Sequence, residues 1–132
     1  MLFRSFILNW WSRTQPVVAQ STCEAELLAL NLGACEGRYV QQILGEMDEK
    51  VIITMLSDSQ SAVRTTAKRG PGRMRHLDIK ELWLQAEVRE GRIKIEHVPG
   101  DTNPADIFTK QLAHKKLAQL MELVGIRSGS EP

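Results

Sequence analysis

The sequence predicts an α/β fold, and three observations carry that reading. An unbroken β-branched run, VIITMLS at 51–57, has the composition of a buried strand; RIKIEHV at 92–98 alternates like a half-buried one; and helix-forming segments stand before, between and after them. The resulting order is strand, helix, strand, helix, helix, strand, helix, with connections long enough for parallel crossovers. At 132 residues and 42% hydrophobic, the chain can bury one core, so a single domain is expected over 1–126 with a flexible tail at 127–132.

The elements follow from local chemistry. LFRSFILNWW, residues 2–11, is aromatic and aliphatic with no Gly or Pro, which suits a strand, and SRTQP breaks it. Ser21 with Glu24 three residues on is a capping-box signature, and the good helix formers after it predict a helix over 22–46. On that helix Glu26, Ala29, Gly33 and Gly37 fall close to one line, a small-residue stripe that admits a near neighbour. The strand at 51–57 is expected to be buried on both faces, as in a parallel sheet. SQSAVRTTAKR reads as a short helix closed by GPG. RMRHLDIKELWLQAEVRE predicts another, with Leu77, Ile79, Leu82 and Ala86 on its apolar side and Gly91 as its C-terminal cap. Asn103 caps a last helix that begins at Pro104 and carries Phe108, Leu112, Leu117, Leu120 and Val124 down one side to about 124.

Composition excludes several classes. The formal net charge is +1, so only a local cluster can argue for a nucleic-acid partner. One exists: between Ser59 and Leu77 there is no acid, while Arg64, Lys68, Arg69, Arg73 and Arg75 gather beside His76. Cys23 and Cys35 lie twelve residues apart on one predicted helix, roughly 18 Å, too far to pair. No disulfide framework or Cys/His metal spacing is present, which fits an intracellular setting, cytoplasmic or nuclear. The apolar opening is too short and interrupted to span a membrane.

Three acids occupy places where chemistry gathers. Asp58 follows the strand 51–57, and in open α/β sheets functional groups collect beyond the carboxyl ends of strands. On residue type alone, capping the next helix is the plainer reading. Glu26 interrupts a small-residue stripe, where a charge is unexpected unless that face meets a polar site. Asp106 lies in a first helical turn, where the macrodipole alone accounts for an acid. Together they compose a hard-oxygen set suited to Mg²⁺ or Mn²⁺, ions that in pairs serve in-line phosphoryl displacement.

SRTQPVVAQSTCEAELLAL, LSDSQSA, MRHLDIKELWLQ and HVPGDTNPADIFTKQL, in this order and spacing, resemble the ribonuclease H domain at the end of copia-type retrotransposon polyproteins. The resemblance covers about residues 9 to 115. It implies a ribonuclease H-like mixed sheet of five strands with flanking helices, and cleavage of the RNA strand of an RNA:DNA hybrid by two metals held on four acids. It assigns the helix glutamate of a TEAE-like motif to Glu26, the strand-end aspartate of a CDNQSA-like motif to Asp58, and the aspartate of an ADILTK-like motif to Asp106. The basic run itself, Arg64, Lys68, Arg69, Arg73 and Arg75, is read either as contacts to hybrid phosphates or as a solvated loop flank. His76 and Asp78 belong to a motif of the family and receive no chemical role.

One departure stands out. The family's first catalytic aspartate lies on an opening strand in a segment like YSDADWAG, whereas no acid stands before Glu24 in this chain. LFRSFILNWW corresponds to the family's third strand, so the first two strands are absent. The expectation is weak or no cleavage by this chain, with a substitute strand from residues 2–11, an upstream polyprotein segment or a second chain completing the sheet. The rival expectation is a non-catalytic nucleic-acid-binding remnant. A helical interaction domain built on 75–90 and 104–124 is a third. His97 is expected to be a packed or surface side chain, and Trp10, Trp11 and Trp83 either core anchors or base-stacking groups.

Overall fold

The computed structural model describes residues 1–3, 6–12, 14–15, 18–70 and 79–126, Phe3 and Phe6 by their backbone alone. The chain divides into two compact units, one comprising Met1–Thr14 with Pro99–Pro132, the other Gln15–Val98.

In the larger unit, α1 (Thr22–Glu46) begins at the predicted Ser21 cap, with the Glu24 side chain reaching the amide one residue before it. Ser21 Oγ accepts from the Glu24 amide, and the Glu24 carboxylate accepts from the Gln20 amide. Next come β3 (Ile53–Ser57), α2 (Gln60–Thr66), α3 (Ile79–Arg89) and β4 (Ile93–His97). β3 and β4 pair in parallel, with Ile53 opposite Ile93 and Met55 opposite Ile95. These four side chains meet the helices. The core joins Leu27, Leu30 and Ala34 of α1, Ala62 of α2, Leu84 of α3 and Ile93 of β4, with Cys23, Ile53, Met55, Trp83 and Ile95 packed around it. Two members of the small-residue stripe behave as expected, Gly33 lying against Met55 and Gly37 against Ile53, while Ala29 is exposed. Trp83 is thus a core anchor.

β3 departs from the sequence expectation in one respect. It is parallel, but only one face is buried. Thr54 and Leu56 are exposed, as is Ile52 just before the strand, because the helices pack on the face that carries Ile53 and Met55. An apolar run in a sheet of two strands has more hydrophobic surface than the sheet can cover.

α3 also sits differently on the core. The predicted stripe put Ile79 and Leu82 inside, yet Ile79 is 79% and Leu82 37% exposed, while Glu81, Leu84, Gln85 and Glu87 are buried. Hydrogen bonds rotate the helix: Gln85 and Glu87 are drawn in by partners on other elements, and one buried leucine suffices for the apolar contact. Gly91, at φ +72, ends the helix as expected, a conformation that favours glycine. Leu77, His76, Asp78, Arg73 and Arg75, and the tail 127–132, lie outside the described residues.

In the smaller unit, the single strand predicted over 2–11 is replaced by β1 (Leu2–Phe3) and β2 (Phe6–Ile7), paired antiparallel with Leu2 opposite Ile7. An extended segment must satisfy its amides and carbonyls, and this one pairs with itself, aided by Leu8 N to Met1 O and the terminal ammonium to Asn9 O. Among the described residues β1 and β2 pair with each other, not as the single strand expected over 2–11. The five-stranded mixed sheet is not seen: the described residues form two two-stranded sheets.

The predicted helix 104–124 is interrupted. Asn103 Oδ1 caps as expected, accepting from Ala105 N, but the segment Pro104–Phe108 is 3₁₀, and α4 proper runs His114–Leu123. The five-residue step from Leu112 to Leu117 explains the break: it rotates Phe108 and Leu112 out of line with Leu117, Leu120 and Val124. Leu120 and Val124 are buried.

Candidate functional site

Asp58 stands directly after β3, and the structure decides between its two readings. α2 is capped by Ser59, whose Oγ accepts from the Ala62 amide, and not by Asp58. The Ser59 amide is itself held by Ser57 Oγ at 3.1 Å. The Asp58 carboxylate is exposed and makes no hydrogen bond or ion pair with any described residue. Helix capping therefore does not explain this acid. β4 ends alongside it, with Ser57 opposite His97, and His97 is exposed.

Glu26, one turn into α1, is half-buried, in the same unit as Asp58. Its neighbours one turn away along α1 are Cys23, packed against the core, and Leu30, within it.

Asp106 belongs to the smaller unit. It is 8% exposed in the 3₁₀ segment, and its two carboxylate oxygens face Lys110 Nζ at 2.9 and 3.0 Å. Its carbonyl accepts from the Thr109 and Lys110 amides, folding the lysine back over the acid. The i,i+4 spacing of Asp106 and Lys110 was the sequence signal for this ion pair. Nearby Phe108 stacks on Trp10, ring centroids 5.0 Å apart and planes 7° from parallel, with Trp10 mostly exposed.

Among the described residues no three His, Cys, Asp or Glu side chains gather as a metal site. Asp58, an open carboxylate, suits a hard divalent ion, whereas Asp106 is neutralised by its own lysine. Of the five predicted phosphate contacts, Arg64, Lys68 and Arg69 are exposed on and just beyond α2. No acid pairs with any of the three among the described residues.

Two features escaped sequence reasoning. Glu87, buried at 4% exposure, receives two hydrogen bonds from Arg92, 2.9 and 2.7 Å, and lies 3.3 Å from Arg38 on α1. Those bonds hold its carboxyl below the usual range despite the opposing effect of burial, with the Arg92 and Arg38 charges adding to them. The pair ties α1 to α3 and the start of β4. Glu81, also buried, leaves Oε2 without a hydrogen-bond partner among the described residues.

The chain is 30% identical over 128 residues to the retrovirus-related Pol polyprotein of transposon TNT 1-94 from Nicotiana tabacum, a match covering 96% of this chain and 10% of that protein. A second match, 22% identical over 122 residues, is to the Pol polyprotein of transposon RE1 from Arabidopsis thaliana, covering 90% of this chain and 8% of that protein. Its homologues are Pol polyproteins of plant retrotransposons. This chain spans a tenth or less of the length of these polyproteins. No protein-family profile matches it, and no solved structure does. No helix among the described residues is long and apolar enough to cross a membrane.

Proposed function

We propose that the chain is the ribonuclease H-derived segment of a retrotransposon Pol polyprotein, and that on its own it engages RNA:DNA hybrid with little or no cleavage. The observation that carries the reading is Asp58. It is an exposed acid at the carboxyl end of a parallel strand, it caps nothing, and it falls where the family motif puts a metal ligand. Homology to Pol polyproteins along 96% of the chain supports the same origin.

Glu26, Asp58 and Asp106 are the residues that would hold Mg²⁺ or Mn²⁺, ions that activate water and stabilise the leaving oxygen in phosphodiester hydrolysis. Asp106 would first have to exchange Lys110 for the ion. With three carboxylates where the family uses four, the site carries less negative charge than two divalent ions require. The open edge of β3, with Leu56 and Ile52 exposed on its uncovered face, suits a further strand. We propose that an upstream polyprotein segment fills that edge and brings the missing acid.

The test is a chain extended at its N-terminus by the polyprotein segment encoded immediately before it. The extended chain should cut the RNA strand of a hybrid in Mg²⁺ or Mn²⁺, with loss of cleavage in Asp58→Asn. A folded extended chain that binds hybrid and stays inert in both ions sinks the enzymatic reading. The alternative, a non-catalytic binding remnant, is favoured by the ion pair that occupies Asp106. It predicts hybrid binding that ignores divalent metal and weakens steeply with salt.

A further inference from the structure

Gln85 is a polar side chain in an apolar place. It is 3% exposed on α3, next to fully buried Leu84, and its amide nitrogen donates to two backbone carbonyls, Thr65 O at 3.0 Å and Gly70 O at 3.1 Å. A buried amide is costly unless its donors are satisfied, and here both hydrogens are used. Methionine would fill similar space without that cost. What the amide adds is direction, because its two hydrogens diverge at a fixed angle in one plane.

The two carbonyls bracket a particular piece of chain. Thr65 lies in the last turn of α2, where carbonyls lack intrahelical partners, and Gly70, at φ +74, ends the bend that follows. Between them stand Lys68 and Arg69, both exposed, with Lys68 N also bonded to Thr65 O at 3.2 Å. One buried side chain thus pins both ends of a short basic segment whose charged groups reach into solvent.

We infer that Gln85 is a positioning residue for phosphate contacts made by Lys68 and Arg69, an inference that rests on the nucleic-acid reading given above. The segment is held in its binding shape before the ligand arrives, so less conformational freedom is lost on association. The ligand class is the sugar-phosphate backbone of a duplex, because two cations on a fixed bend read charge spacing and not base identity.

The experiment uses the full chain and a labelled RNA:DNA hybrid of 20 base pairs, without divalent metal, followed by anisotropy across a salt series. Four proteins are compared: wild type, Gln85→Met, the double variant Lys68→Gln/Arg69→Gln, and the triple combination. Gln85→Met should weaken binding by about 3- to 10-fold, the range expected for freeing a few ordered groups. It should also flatten the salt dependence, and it should add nothing in the double-variant background. Gly70→Ala strains the same bend through its φ of +74, where an added Cβ meets no described atom within 4 Å, and should weaken binding in the same way even if Gln85→Met folds poorly. If the double variant weakens binding while Gln85→Met and Gly70→Ala keep wild-type affinity and salt slope, the positioning role is wrong and the nucleic-acid reading survives. A Gln85→Met loss of equal size in both backgrounds marks general damage and also overturns it. If the double variant binds like wild type, the basic contact itself fails.

Discussion

The packing of α1 on β3 makes a prediction in which two glycines one turn apart behave oppositely. Replacing either Gly33 or Gly37 with alanine removes a residue that costs about 1 kcal/mol in a helix interior. The offsetting term is the space each new methyl meets. At Gly33 the added Cβ would lie 2.9 Å from Cε of Met55, an overlap, but with the free end of an unbranched side chain that is only half-buried. Swinging that methyl aside costs about 0.5 to 1 kcal/mol, so Gly33→Ala should be neutral or slightly stabilising. At Gly37 the Cβ would lie 3.3, 3.5 and 3.7 Å from three atoms of Ile53, a β-branched side chain stiff at χ1, on a strand held in register opposite Ile93. Relief there requires the helix or the strand to shift, at about 1 to 3 kcal/mol for an overpacked core. Gly37→Ala should therefore be neutral to destabilising, and less stable than Gly33→Ala by about 1 kcal/mol. Urea unfolding followed by circular dichroism measures both. Equal midpoints, or a higher one for Gly37→Ala, would refute the packing argument.

Glu87→Gln should cost about 1 to 2 kcal/mol, the low end for a charge-assisted bond because both guanidiniums are more than a third exposed, and urea midpoints at pH 7 report it. Because the folded carboxyl sits below its ordinary value, its contribution is complete above the unfolded value and disappears as pH falls through the folded one. The wild type should thus lose stability on acidification below about pH 4.5 more steeply than Glu87→Gln, and parallel acid titrations would contradict this. Glu81→Met, which removes a buried carboxylate with one oxygen unpartnered among the described residues, should raise stability by about 1 to 2 kcal/mol, and a lower unfolding midpoint would show that the carboxylate is satisfied after all.

How much of this was legible in the sequence depended on the range of the interaction that fixed each feature. α1 and its cap were readable because Ser21 and Glu24 act within one turn. The parallel pairing of β3 was readable from its β-branched run. The exposed second face was not, since burial depends on neighbours that a strand's own composition does not specify. α3 was located, but its inward face was misread: Gln85 and Glu87 are drawn inside by Thr65, Gly70, Arg38 and Arg92, partners far away in sequence. The interrupted last helix was visible in the five-residue step between Leu112 and Leu117 and was passed over in favour of the Asn103–Pro104 start signal. At the site, residue type made Asp58 ambiguous between cap and ligand. The structure removed the first option by giving the cap to Ser59.

We propose that this chain engages the hybrid without enough carboxylates to turn it over. The most direct measurement is cleavage of a labelled RNA:DNA hybrid by the 132-residue chain in Mg²⁺ and in Mn²⁺, with binding recorded in the same samples. Bound hybrid with its RNA strand intact is the predicted result. Multiple turnovers that disappear in Asp58→Asn would contradict it, showing that Glu26, Asp58 and Asp106 suffice.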